Sequence, residues 1–287
     1  MIIMLALLLL CLLLRSSVVM TAATSACHLF VTAVLPGLFP YMVLSLMLIS
    51  RIRRMSPGLL VLLGWGGGSP TGARLLPLCH GLTEMDHLRL VITCGTMSPM
   101  FLLGTIGGWL QSPAAGAVCL VSVIAGGWAS GWAAGRTAFR RPLARRADRR
   151  AASGRGDDHP AARLPLTFGA AVEQSARTML LVCGTMAMMR VFAALAAEML
   201  PTALRLPVTT VLEVTTGTAA IAALPLPLPW RTALIAGATG FGGIAILLQN
   251  RAVLGSDALP LPSHCIFQAL HGGISFLVAL GLMWMIG

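Results

Sequence analysis

The chain has 287 residues, of which 57% are hydrophobic and 10% charged, with a formal net charge of +11 and a mean hydropathy of +0.86. This balance excludes an ordinary soluble domain, in which about a quarter of residues carry charge. It also argues against a disulfide-framed module: Cys11, Cys27, Cys79, Cys94, Cys119, Cys183 and Cys265 lie mostly inside apolar runs, form no CxxC pair and read as small buried hydrophobes.

Apolar runs cover 1–14, 29–50, 90–110, 114–134, 166–200, 231–249 and 264–286. Most approach or exceed the roughly 20 residues that a helix needs to cross a bilayer core. An all-α polytopic protein of the cell membrane is expected, with about seven transmembrane helices. The opening "MIIMLALLLLCLLLRSS" resembles a signal-peptide core and is followed by small residues, but no positive charge precedes it. The expectation is an uncleaved, slightly short transmembrane helix within residues 1–23, starting in the cytoplasm.

Within 24–135, "GWGGGSPTGARLL" (64–76) interrupts an otherwise lipid-like stretch. Pro70 removes a backbone donor and clashes with the preceding turn. Such a break is tolerated at membrane depth where a cavity lets water or ligand satisfy the freed groups. Next, "CHGLTEMDHLR" (79–89) offers Cys79, His80, Glu84 and His87 to a metal. A capping box with Leu82 as staple, Thr83 as N-cap and Asp86 at the third helical position is the simpler reading. Gly127, Gly131 and Gly135 recur every four residues, which suits close helix packing.

Residues 136–163 form a basic loop in which nine arginines against Asp148, Asp157 and Asp158 leave +6, over half of the excess charge. A short arginine-rich loop between apolar segments marks the cytoplasmic side and meets anionic lipid headgroups, so no nucleic acid is expected as a partner. In 164–287, Glu173 and Arg177 stand four apart on one helix face and are expected to pair with each other. Glu213 is the only acid in its apolar segment, a candidate for a coupling proton or cation, or for an arginine partner.

The two halves look alike. "HGLTEMDHLRLVITCGTMSPMF" (80–101) lines up with "PLPLPWRTALIAGATGFGGI" (225–244), and "SPTG" (69–72) with "VTTG" (214–217). Arg51, Arg53 and Arg54 put the 50–57 turn on the same side as the basic loop, so an even number of crossings must separate them. Three apolar segments lie between, and the count works only if the segment broken at 64–73 enters and leaves on one side. The halves are then inverted: seven crossings, a re-entrant or broken segment in each half, and the C-terminus outside. Secondary transporters have this plan, with matched breaks at the substrate site.

"VLPGLFPYMVLSLML" (34–48), "GGGSPTGARL" (66–75), "TMSPMFLLGTIG" (96–107), "VLEVTTG" (211–217) and "GFGGIAILLQ" (240–249) follow one another as in the YlbJ-like sporulation integral membrane proteins, which the chain resembles over about 24–280. That family carries paired nucleoside-recognition (gate) domains. The resemblance implies gate-like repeats at 24–135 and 164–287 and export of dipicolinic acid from the mother cell toward the forespore, across the outer forespore membrane. Two departures stand out. Cys94, Gly95 and Thr96 stand where the family has asparagines, and Arg74 stands where lysine is common; the chain has no lysine. A planar dianion bound in mid-membrane needs hydrogen-bond donors with positive character. Ser69, Thr71, Gly72, Arg74, Thr96 and Ser98 are the candidates from the first half, and Thr215, Thr216, Gly242, Gly243 and Gln249 from the second. Glu213 completes the expected site as the acid for a coupling proton or cation. Neither a nucleophile–base–acid set nor a phosphate-binding P-loop is visible, since "GWGGGSPTGA" lacks the lysine, so no enzyme activity and no cofactor are expected. A nucleoside-type transporter and a non-transporting scaffold for spore assembly are the competing readings; an oligomer is compatible with each.

Overall fold

The computed structural model describes residues 2–52, 56–69, 71–76, 84–136, 165–254 and 261–286. Thr83 of the expected capping box, Cys79 and His80 of the metal alternative, and the basic loop beyond Arg136 lie outside the described residues. The structure is 89% helical and contains no strand among the described residues. Five helices there are long and apolar enough to cross a membrane: Ser16–Ile49, Pro113–Arg136, Phe168–Met199, Leu228–Leu254 and Leu261–Ile286. Large side chains such as Leu180, Leu277 and Met285 point outward from them, an arrangement suited to lipid and untenable over such an area in water. The chain is a multi-pass membrane protein.

Helix α1 (Ile2–Leu14) has 13 residues, about 20 Å of rise, which is short of the roughly 30 Å hydrocarbon core. It ends at Arg15, and the boundary expected near 23 falls inside the next helix. That helix, α2 (Ser16–Ile49), contains a widened π turn at Phe30–Val34. Pro36 follows directly and cannot donate to the carbonyl four residues back.

The breaks expected from the sequence are present. Helix α3 (Pro57–Gly67) starts where the Ser56 hydroxyl accepts the Leu59 N–H at 3.2 Å, with Pro57 in the first turn. It stops at Gly68, whose φ of 65° suits glycine, and a short α4 (Thr71–Leu75) follows. Helix α5 (Glu84–Cys94) is separated from α6 (99–109) by the stretch 95–98, and α7 (Pro113–Arg136) comes next. In the second half, α8 (Phe168–Met199) is capped by the Thr167 hydroxyl. Glu213 separates α9 (Thr202–Leu212) from α10 (Val214–Ala222). Gly242, at φ 78°, separates α11 (Leu228–Phe241) from α12 (Gly243–Leu254), and α13 (Leu261–Ile286) completes the described chain.

Packing follows the same plan on both sides. Helices α7 and α13 lie against each other, and each holds one half of a broken helix, α5 on α7 and α11 on α13. Helices α2 and α8 also pack together, and each carries a short broken pair, α3 beside α2 and α9 beside α8. The main apolar core, with Met42, Leu102, Ile106, Val123 and Ile235 fully or almost fully buried, fills the space among them.

Small residues set the α7–α13 distance. A Cβ on Gly126 would lie 2.3 Å from Ser275 Oγ and 2.9 Å from the His271 carbonyl, and one on Gly131 would lie 2.1 Å from Thr93 Oγ1. Close approach of backbones is what membrane helices gain from such residues. Gly126→Leu is therefore expected to destabilise the detergent-solubilised protein by roughly 1–3 kcal/mol. Gly281→Ala, with nothing within 4 Å of the added carbon, should leave the thermal midpoint unchanged. Equal midpoints for the two variants would contradict this packing.

Candidate functional site

The four breaks close on one another. In the first half the Ser69 N–H donates to the Thr96 carbonyl at 2.8 Å, and a Cβ on Gly68 would come within 2.5 Å of Ser98 N. The breaks at 68–69 and 95–98 are thus in backbone contact. In the second half a Cβ on Gly243 would meet the Val211 carbonyl at 3.2 Å and Val214 N at 3.3 Å, so the 242–243 and 213 breaks touch in the same manner. Side-chain bridges near the breaks then join the halves. Ser69 Oγ donates to Asn250 Oδ1 at 2.7 Å, both residues being buried. Gln268 Nε2 donates to the carbonyls of Gly95 and Gly240, at 3.2 Å each.

Between these breaks lies a narrow cavity, with about 30 Å³ of room for the centres of water-sized molecules, walled by α2, α6, α8, α10, α12 and the break residues. Ser69, Ser98, Glu213, Thr215 and Gln249 give its polar lining, and the rest is apolar, with Met97, Phe101 and Met186 the largest. Its charged lining residue is Glu213; the lining includes no basic side chain. Glu213, 1% exposed, is held as the N-cap of α10. Its Oε1 accepts the Thr215 N–H at 2.8 Å and its Oε2 the Thr216 N–H at 2.6 Å. The carboxylate thereby satisfies two of the donors left free at a helix start and sits on the positive end of the helix dipole. Ser98 caps α6 in the same way, accepting the Phe101 N–H at 3.2 Å. Gln249 is anchored from outside the cavity, its Nε2 donating to Thr185 Oγ1 at 2.7 Å.

The structure brings five of the twelve expected site residues to this lining and gives the other seven different surroundings. Thr71, the first residue of α4, bonds back across the break, its Oγ1 donating to the Gly67 carbonyl at the end of α3 at 3.2 Å. Gly72, expected to let backbone approach a ligand, packs on Cys94; a Cβ there would be 2.5 Å from Cys94 Cβ. Arg74, expected as the anion-binding guanidinium, reaches α8. It donates to the Gln174 carbonyl at 2.9 Å, to Gln174 Oε1 at 3.2 Å and to the Thr178 hydroxyl. Gly242 and Gly243 shape the break through their positive φ. Thr96 and Thr216 flank the cavity with buried hydroxyls that have no hydrogen-bond partner. Glu173 and Arg177 pair at 2.8 Å on an exposed face, as expected.

Asn250, Gln268 and His271 were not singled out from the sequence. Asn250 follows Gln249 and precedes Arg251, so it reads as the polar end of a span. His264, Gln268 and His271 had a usable signal: three polar residues at i, i+4 and i+7 in an apolar run, on one helix face.

No family model, curated protein or solved structure matches the chain.

Replacing the Glu213 cap is expected to strand the Thr215 and Thr216 N–H groups. Glu213→Ala should cost roughly 1–2 kcal/mol, seen as a lower denaturation midpoint in detergent, with Glu213→Asp retaining part of the loss. An unchanged midpoint for Glu213→Ala would mean that the cap does not hold α10.

Proposed function

We propose that the chain is a membrane transporter for a small solute, built as an inverted repeat, with the solute bound in the cavity between the four breaks. The observation that carries this reading is the cavity itself: polar residues from both halves meet in mid-chain breaks of otherwise apolar helices, and inverted-repeat transporters bind substrate at such breaks. Pairwise packing supports the repeat in part, since the contacts α2–α3, α3–α4, α4–α5 and α5–α7 have counterparts in α8–α9, α9–α10, α10–α11 and α11–α13, whereas α6 packs on α7 without a comparable contact between α12 and α13. Charge supports the orientation. With Arg51 and the basic loop at 136–163 in the cytoplasm, α7 runs inward and α13 outward.

The lining suits a flat, small heteroaromatic solute. Met97, Phe101 and Met186 offer faces for a ring, while the hydroxyls and Gln249 offer edge contacts. The resemblance to the YlbJ-like family supports dipicolinic acid as that solute, exported in spore formation. A free dianion would face Glu213 and would need Arg74 to leave Gln174 and Thr178. A nucleoside, being neutral, requires neither change, so the lining favours it as the second solute to test.

Two measurements test this reading. Single cysteines at positions 153 and 287, in a cysteine-free background, are expected to react with membrane-impermeant maleimide from opposite faces of the membrane; reaction from one face would refute the inversion. Reconstituted vesicles are expected to take up labelled dipicolinate or labelled nucleoside, and Met186→Trp should abolish uptake by filling the cavity while the protein still inserts. Uptake unaffected by Met186→Trp would remove the cavity from the path, and uptake of neither solute would refute this substrate class.

A further inference from the structure

Helix α13 holds a buried polar face that the proposed cavity does not use. His264, Gln268 and His271 are each at most 1% exposed, and each has a side-chain atom without a hydrogen-bond partner: His264 Nε2, Gln268 Oε1 and His271 Nδ1. Buried polar atoms of this kind call for an explanation, because native interiors pair nearly all of them.

Chemistry fixes what two of these atoms are. His271 Nε2 lies 2.8 Å from the Val123 carbonyl. A carbonyl only accepts, so Nε2 carries the hydrogen and neutral His271 presents a bare lone pair at Nδ1. Gln268 is fixed by the same logic. Its nitrogen serves the carbonyls of Gly95 and Gly240, so the partnerless atom is the amide oxygen, also an acceptor. Two acceptors, three residues apart on one helix face, share an interior with no donor shown for either. One proton on Nδ1 would turn that acceptor into a donor, while Nε2–H keeps the Val123 carbonyl. The Gln268 amide oxygen, three residues back on the same helix face and itself without a partner, would have to turn to meet Nδ1–H, directly or through a water. Without such acceptors a buried imidazolium would be prohibitively costly.

We propose that His271 is the proton-binding residue of this protein, and that Gln268 transmits its charge state to the central breaks. The proton comes from water on one side, occupies the Nδ1 lone pair, and returns to water on the other; the Nε2 hydrogen is not consumed. Gln268 is the coupling element because its amide ties Gly95, at the end of α5, to Gly240, in the last turn of α11. Turning its oxygen toward Nδ1–H alters the two bonds that hold the breaks together. This rests on the transport reading for its purpose, though not for its chemistry.

The ionisable groups on the elements packed against α13 are accounted for by name. On α7, Cys119 bonds the Thr232 carbonyl and Arg136 lies over the Trp132 ring. On α11, Arg231 bonds the Ala222 carbonyl. On α5, Glu84, Asp86 and His87 occupy the first turn, Arg89 runs along Gly135, and Cys94 at the helix end faces the Leu60 carbonyl. His264 and Cys265 are at the start of α13 itself. The His271 ring packs on Gly126 and Gly127 of α7, neither ionisable.

The test uses full-length protein with 15N-labelled histidine in lipid nanodiscs, followed by NMR from about pH 8.5 to about pH 4, a range that extends below that of an unperturbed histidine. One histidine is expected in the Nε2–H form with a bare Nδ1, gaining a second proton as pH falls, and its signals should vanish in His271→Gln. Hydrogen-exchange protection at 93–98 and 238–243, corrected for the intrinsic pH dependence of amide exchange, should change about tenfold across that range in the wild type, a usual size for coupling between sites, and stay constant in His271→Gln and Gln268→Met. A bare Nδ1 that never takes a proton in the folded protein would overturn the proposal and leave an ordered water between the acceptors. Exchange that responds to pH equally in Gln268→Met would overturn the transmitting role. If His271→Gln does not fold, the wild-type titration alone decides. Titration of His271 with no uptake of dipicolinate or nucleoside would support this site while counting against the transport reading.

Discussion

Backbone groups left open within apolar helices govern this molecule. Hydrocarbon offers no hydrogen bonds, so each unpaired N–H or carbonyl there costs several kcal/mol, more than most side-chain contacts return. The chain nevertheless interrupts its helices at 68–69, 95–98, 213 and 242. It tolerates this because the interruptions are placed against one another: Ser69 N–H reaches the Thr96 carbonyl, Glu213 takes the N–H groups of Thr215 and Thr216, Ser98 takes that of Phe101, and Gln268 serves the carbonyls of Gly95 and Gly240. No break could stand alone, and their mutual closure is what brings the two halves into one core.

The cavity is a consequence of that closure. Side chains used as caps, Ser98 and Glu213, necessarily sit where helices begin, and their outer edges face the space that the breaks leave. The same residues thus support the fold and present polar atoms to the cavity. A bridge such as Ser69–Asn250 contributes little by itself, about 0.6 kcal/mol for an average interhelical hydrogen bond in a membrane. Its value is positional, since it fixes the first break against α12. The π turn of α2 at Phe30–Val34 and that of α6 at Phe101–Ile106 add Val34 and Phe101 to the cavity wall, consistent with the frequent placement of such turns at functional sites.

Much of the architecture was legible in the sequence because the signals were local. Apolar run length marks the spans. Glycine with proline marks the 64–73 break, glycine alone the 242 break, and spacing of four marks the Glu173–Arg177 pair and the small-residue seam of α7. The site was legible only in part, because its residues are chosen by partners far away in sequence. Nothing near Arg74 reveals that Gln174 and Thr178 will occupy its guanidinium, and nothing near Gly72 reveals Cys94 against it. Glu213 was conspicuous as a lone acid, yet its function as a cap depends on the helix ending at 212, which Pro207 inside α9 did not signal. Asn250 and Gln268 were hidden for the opposite reason: each looks like an ordinary polar residue in or at the end of a span until its partner in the other half is known.

The account stands most directly on the two halves meeting at their breaks, and one cross-linking measurement addresses that. Cysteines replacing Ser69 and Asn250 in a cysteine-free protein should be joined rapidly in native membranes by a short bis-methanethiosulfonate reagent, since the native side-chain oxygens lie 2.7 Å apart. A cysteine pair at 69 and 277, the latter on the outward face of α13, should remain unlinked. Failure of the 69–250 pair to link in a well-inserted protein would contradict the convergence of the breaks, and with it the cavity.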